Sequence, residues 1–277
     1  MTRLIGADQP FGVSRKLSYR MTADRYTGRV LYVTFRTAAD LRQWVPQPLE
    51  LEDPHEAFLK IYQLKRRPVS GEPYPPSFSQ YREACVTVLA RAPDDEVRHY
   101  NIFMWVTHDW AIYKARAALG WPKKIANIEM TATFPDGERY DRDVDVRSFD
   151  VDVDRYGYPI IRVRARLDSK AAQQAAKPFN GFYTIRHIPS PAKPLDDICE
   201  LLIIEPQDGW FGPGMWGAAS LEFGDAPDEE LSLIQPVEVT SCVLRDTGWT
   251  LPGWPARRLM SLAPLDADLG EARPSYK

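Results

Sequence analysis

Short β-prone runs recur along this chain and are separated by turn residues. They cover residues 30–35, 85–90, 100–106, 125–134, 160–167, 182–187, 218–223 and 237–244. Several alternate apolar and polar positions with period two, the repeat of a strand whose successive side chains point to opposite faces. The clearest is Ile161-Arg162-Val163-Arg164-Ala165-Arg166-Leu167. Its arginines share one face, which reads as the solvated side of a sheet, and its apolar residues share the other. So many short runs predict a mainly antiparallel sheet, curved into a barrel-like form or a sandwich.

Helical signals are few. Residues 37–44 carry an N-cap candidate and stop before Pro46. The segment 109–119 is stronger: Asp109 caps it, Ile112, Ala115 and Leu119 share a face, and Gly120 closes it. Residues 169–177, ended by Pro178, form a third candidate. Helices scattered singly among strands predict an α+β fold rather than alternating βα units. Proline-rich connections at 67–77, 189–194 and 251–255 are too short for domain linkers. A single domain over residues 1–277 is expected, with a polar C-terminal tail from about residue 263.

Composition narrows the function. Of 277 residues, 44% are hydrophobic and 12% aromatic, enough for an extensive core. The formal net charge of -3 gives no general attraction for nucleic acid or anionic lipid, so neither is an expected partner. An anionic substrate would need a local basic pocket. No apolar run approaches the roughly 18 residues of a membrane span, and Met1-Thr2-Arg3-Leu4-Ile5-Gly6 lacks the apolar core of a secretion signal. Cys85, Cys199 and Cys242 are odd in number, unpaired in spacing and set among apolar neighbours. They read as core fillers in a reduced, cytoplasmic compartment. The four histidines share no ligand spacing, and there is no Gly-rich phosphate loop or nucleophile elbow. No metal and no cofactor are expected.

Chemistry concentrates at Gly120-Trp121-Pro122-Lys123-Lys124. A helix stops at the glycine, the proline stiffens the turn, and two lysines open a half-apolar strand. A lysine held on rigid backbone among apolar neighbours is a candidate amine nucleophile, because desolvation favours the neutral amine. Trp121, Met104 and Trp105 could supply the apolar wall. On an extended strand adjacent side chains diverge, so Lys124 can point away from Lys123.

The segment Ala111-Ile112, Arg116 and Trp121-Pro122-Lys123-Lys124 resembles the active-site motif of the acetoacetate decarboxylase-like superfamily. That motif is a helix bearing Gly-Arg-Glu, then an aromatic residue and Pro-Lys-Lys. Further pieces follow in the same order. Phe35-Arg36-Thr37, Val45-Pro46-Gln47-Pro48-Leu49-Glu50, Tyr81-Arg82-Glu83, Ile198-Cys199-Glu200-Leu201 and Trp210-Phe211-Gly212-Pro213-Gly214 resemble family segments from about Tyr26 to Pro252. By this resemblance Lys123 forms a Schiff base with a keto acid. Lys124 helps keep it neutral, an activation for which acetoacetate decarboxylase is the standard example. Glu83 is implied in proton transfer. Arg29 is implied in substrate binding, with Arg116, Trp121 and Met104 around it. A homo-oligomer is also implied, and the aromatic, proline-rich loops offer apolar contact surface.

The sequence departs from the family pattern in three places. Arg29 lies one residue closer to Phe35-Arg36-Thr37, and such a shift reverses the face unless a bulge intervenes. In Glu56-Ala57-Phe58-Leu59-Lys60-Ile61, Leu59 takes the place of a family glutamate. Ala117 replaces the glutamate of Gly-Arg-Glu. These changes put acetoacetate itself in doubt as substrate and leave the lysine untouched. The expected function is a Schiff-base lyase acting on a keto acid, most simply a decarboxylase. The alternatives are an aldolase-dehydratase or hydratase on 2-oxo acids such as pyruvate, or a non-catalytic ligand-binding member.

Overall fold

The computed structural model describes residues 23–131, 146–168, 180–190, 197–253 and 255–262. The predicted helix at 169–177 and the tail from 263 lie outside them. The described strands are β1 (Asp24–Thr37), β2 (Glu50–Leu51), β3 (Glu56–Pro68), β4 (Gln80–Arg91), β5 (Val97–Val106), β6 (Lys123–Ile125) and β7 (Asn127–Met130). They continue with β8 (Val146–Arg155), β9 (Tyr158–Asp168), β10 (Phe182–Ile188), β11 (Ile198–Ile204), β12 (Gln207–Phe223), β13 (Pro236–Leu251) and β14 (Ala256–Ser261). Two helices accompany them, α1 (Pro76–Ser79) and α2 (Trp110–Leu119). The expected α+β, mainly antiparallel class is the class observed.

Strand pairing and one chain crossing bring the sheet round on itself. Strands β1, β3, β4 and β5 follow one another antiparallel. Parallel to β5 runs β6, with Met104 opposite Lys123. The chain then passes through Ala126, whose N–H donates to the Val106 carbonyl at 3.0 Å, into β7. From there β8, β9, β12 and β13 are antiparallel, and β13 returns to β1. Strand β10 pairs with the start of β5 at His99 and Tyr100, and β11 and β14 extend from it. The predicted strand at 125–134 is thus two strands broken at Ala126; its last residues lie outside the description.

Every strand of this ring except β6 feeds one apolar cluster. Leu31, Val33 and Phe35 of β1, Leu59 and Ile61 of β3, Val86 and Val88 of β4 and Trp105 of β5 meet Ile128, Val151, Val163, Leu221 and Leu244 there. The intervening residues of β1, β3, β4 and β5 point the other way, where they line a cavity. These four strands are therefore buried on both faces, and the polar alternation expected of a half-exposed strand fades. In β9 it survives. Arg162 and Arg164 lie outside, 3.4 and 2.9 Å from Asp152 of the neighbouring strand, in surface pairs that contribute little to stability.

One predicted helix is corrected. Thr37 ends β1, its N–H bonded to the His55 carbonyl at 3.0 Å. Only Leu41–Trp44 turns, as a 3-10 helix capped by Asp40, whose Oδ1 accepts from the Arg42 N–H at 3.1 Å. The Thr37 Oγ1 accepts from the Ala39 N–H at 3.2 Å, closing a local turn in place of a helix start. Among the described residues, no helix is long and apolar enough to cross a membrane.

Candidate active site

Helix α2 delivers the lysine pair. Asp109 Oδ1 accepts from the Trp110 N–H at 2.7 Å, and Gly120 ends the helix at φ 71° with its N–H on the Ala115 carbonyl. Glycine is needed there twice over: the left-handed φ disfavours a side chain, and a Cβ would sit 2.6 Å from the Ile185 carbonyl oxygen. The Trp121 N–H also reaches Ala115, at 3.1 Å. Across Pro122 the Lys123 N–H donates to the Trp121 carbonyl at 2.8 Å, a tight turn that starts β6.

From that turn Lys123 enters a cavity of about 680 Å³. Its side chain is buried, and Nζ lies 2.6 Å from Glu83 Oε2. The Trp121 and Tyr81 ring centroids are 5.2 and 5.8 Å from the same atom. Glu83 is presented by β4, opposite Val106 of β5, and is itself buried. Met104, directly opposite Lys123, completes this corner of the lining. Lys123, Glu83, Trp121 and Met104, all singled out from the sequence, are therefore brought together.

Four other predicted residues are placed elsewhere, Trp105 among them, since it belongs to the apolar cluster inside the ring. Lys124 leaves the strand on the opposite face and donates to Glu229 Oε2 at 3.1 Å and to the Asp228 carbonyl at 2.9 Å. Glu229 is held further by Trp105 Nε1 and Arg155 Nε, each at 3.1 Å. Arg29 is ion-paired with Asp246 at 2.8 Å and does not line the cavity. On β1 the cavity-facing residues are Tyr26, Tyr32 and Thr34, the parity opposite to that of Arg29. Arg116 is exposed on α2.

The cavity also holds polar groups that the sequence reading missed. Leu59 belongs to the apolar cluster inside the ring, and the cavity-facing residues of that run are Glu56, Phe58 and Lys60. Lys60 is 2% exposed, with Nζ 2.8 Å from His99 Nδ1 and 5.5 Å from the Tyr32 and Phe182 ring centroids. Burial pushes its ammonium down to about 8. His99 is held well below the usual imidazole range, first by burial and then by the Lys60 charge. A β-bulge between Val86 and Thr87 on the β4–β5 pair lets His99 and Asn101 face the same cavity as Met104 despite their different parity.

Arg245 of β13 lies beside Asp246 and takes the cavity side that Arg29 does not. Its guanidinium stacks on Phe211, 3.8 Å from the ring centroid. Its Nε is buried without a hydrogen-bond partner among the described residues. Cys199 and Cys242 are buried as expected, but Cys85 lines the cavity. Burial pushes its thiol up to about 12, so it stays protonated and is no nucleophile at neutral pH. Among the described residues no group of three His, Cys, Asp or Glu side chains converges as a metal site.

The family model described as acetoacetate decarboxylase (ADC) matches residues 8–258. The chain belongs to this family. An acetoacetate decarboxylase-like enzyme from Sphingomonas wittichii RW1 superposes with a TM-score of 0.76 at 21% identity, over 87% of this chain and 94% of that one. The enduracididine biosynthesis enzyme MppR, complexed with the condensation product of pyruvate and imidazole 4-carboxaldehyde, gives 0.74 at 20% identity, over 90% and 96% of the two chains. Acetoacetate decarboxylase from Legionella pneumophila gives 0.67 at 17% identity, over 87% and 88%. No curated protein matches the sequence significantly. At these identities the structural likeness establishes the fold, and the chemistry has to be argued from the residues of this member of the family.

Proposed function

We propose that the chain is a lyase that condenses Lys123 with a keto acid through a Schiff base. The observation that carries this reading is the buried Lys123 amine, 2.6 Å from Glu83 inside a cavity of about 680 Å³. Glu83 is positioned to take the ammonium proton, and the freed lone pair adds to the substrate carbonyl carbon. Glu83 then returns the proton to the carbinolamine hydroxyl, which leaves as water and gives the iminium cation. Arg245, with an unpartnered Nε, can hold the substrate carboxylate through paired N–H donors. In this reading it replaces Arg29 as the substrate-binding arginine.

The iminium accepts an electron pair. In a β-keto acid the C–C bond to the carboxylate breaks, CO2 leaves and an enamine remains, to be protonated on carbon and hydrolysed. Decarboxylation is the simplest outcome. A second reading has support of its own. A volume of about 680 Å³ is that of pockets that hold drug-sized ligands, roughly 300–1,000 Å³, and the similar MppR structure holds a condensation product of pyruvate and an aldehyde. Loss of an α-proton from the iminium would give an enamine able to add to a second carbonyl, followed by dehydration.

Borohydride reduction in the presence of a keto-acid panel, with peptide mapping by mass spectrometry, tests the shared step. A stable adduct on Lys123 is expected, and failure to trap any keto acid removes the proposal. Release of CO2 from the trapped substrate selects decarboxylation over addition and dehydration.

A further inference from the structure

We propose that Lys60, oriented by His99, is a second anion-binding point of this cavity, so that the favoured substrate is a keto acid carrying two carboxylates. The word substrate here rests on the Lys123 reading; the anion site itself does not.

Position is the first argument. Lys60 pairs with Cys85, Cys85 with Met104 and Met104 with Lys123, so the two lysines stand in one row across four strands and face one cavity. An aromatic wall joins them. Phe182 lies 5.5 Å from Lys60 Nζ, Trp121 lies 5.2 Å from Lys123 Nζ, and the two rings are 5.7 Å apart. A ligand anchored covalently at Lys123 can lie along that wall with its far end at Lys60.

Charge is the second. Lys123 and Lys124 each have a carboxylate within 3.1 Å. Lys60 is more deeply buried than either, and its contacts are an imidazole and two aromatic faces. No carboxylate of the described residues forms an ion pair with it. Glu83 acts on Lys60 only from a distance and is already paired with Lys123, so the burial of this ammonium stays costly, and a methionine would fill the same space without that cost. Local features that oppose stability concentrate at functional sites. At neutral pH Lys60 is mostly protonated and His99 neutral, so Nδ1 accepts from the ammonium and aims its remaining N–H bonds into the cavity. An incoming carboxylate supplies the missing charge.

Arg245 supplies the third argument. It already offers an anion site to the carboxylate of a keto monoacid. Lys60 is then left for a second one.

The test separates binding from chemistry. Glutarate and butyrate, which have no ketone, are titrated into wild type and Lys60→Met by calorimetry. Wild type is expected to bind glutarate at least tenfold more tightly, and the difference to fall below threefold in the variant. In borohydride trapping, 2-oxoglutarate should half-saturate at a concentration at least tenfold below that of 2-oxobutyrate. Equal binding of glutarate and butyrate by wild type overturns the inference, as does an adduct mapped to Lys60. A diacid preference that survives in Lys60→Met also overturns it. Should that variant fail to fold, the wild-type comparison decides alone. A trapped Lys123 without diacid preference removes only the anion site. Diacid preference without any adduct removes only the Schiff base.

Discussion

Lys123 and Lys124 are adjacent on β6 yet serve opposite faces of the sheet: one amine lies 2.6 Å from Glu83 in the cavity, the other 3.1 Å from Glu229 behind it. The twin-lysine motif thus encodes two separate tasks. Lys123 is available for chemistry. Lys124, with Trp105 and Arg155, neutralises a buried carboxylate and ties β6 to the segment carrying Asp228 and Glu229. Its influence on Lys123 passes through the backbone they share.

Replacing the two lysines should separate these tasks. Lys123→Ala is expected to abolish borohydride trapping and also to lose about 3 kcal/mol, because it leaves the buried Glu83 carboxylate without its partner. Lys124→Ala should retain trapping but lose about 1–2 kcal/mol, because Glu229 keeps two other partners and Lys124 is partly exposed. For a chain of this size that is a fall in Tm of about 2–8 °C. Thermal melts beside trapping of the same samples read both. Undiminished trapping by Lys123→Ala would end the proposed mechanism.

Glu83→Gln keeps the shape of the side chain and removes its ability to accept a proton. Binding of a keto acid should persist, while the rate of adduct formation should fall roughly 100- to 10,000-fold. Single-turnover trapping against time measures this. A variant as fast as wild type would assign the proton transfer to another group.

Much of this site was legible because its residues sit at punctuation. The helix cap at Asp109, the stop at Gly120 and the Pro122 turn mark where Lys123 must emerge, and the strand rule already allowed Lys124 to turn away. The misreadings share a physical cause. Strand β3 is buried on both faces from Ala57 to Ile61, so no alternation reveals which residue of Leu59-Lys60 faces the cavity, and a one-residue slip exchanges them. A lysine inside such an apolar run was the signal available. Arg29 failed by the same parity. Arg245 sits on β13, distant in sequence, and only the β13–β1 pairing places it against the site. The closure of the ring through β6, Ala126 and β7 likewise depends on contacts that no local pattern records.

Gly120→Ala should be more damaging than a helix-end substitution usually is. The residue adopts φ 71°, and its new Cβ would meet the Ile185 carbonyl oxygen at 2.6 Å, a backbone atom that cannot rotate away. A loss of about 2 kcal/mol or more is expected from strain and overlap together. Relief by moving the turn would carry Trp121 and Lys123 with it, so trapping should slow even in the folded fraction. Urea denaturation and trapping at low temperature check the two effects. A variant with unchanged stability would contradict the close approach of α2 to β10.

The last prediction concerns pH and Lys60. Burial lowers its ammonium from the ordinary 10.5 to about 8. Between those values the unfolded chain holds a proton that the folded chain has released, so this group makes stability rise with pH across that window. Below about pH 8 the folded protein carries the whole cost, about 3 kcal/mol for a difference of this size. Lys60→Met removes the cost and should be the more stable protein at pH 7, by up to that amount. The advantage should shrink as pH rises from 8 towards 10. His99 is held below the usual imidazole range chiefly by burial, which Lys60→Met leaves in place. Urea denaturation of both proteins at pH 7, 8, 9 and 10 gives the difference directly. A gap that does not change with pH would mean that Lys60 is not a strained, buried ammonium. Substrate binding would then have no uncompensated charge to satisfy at this position.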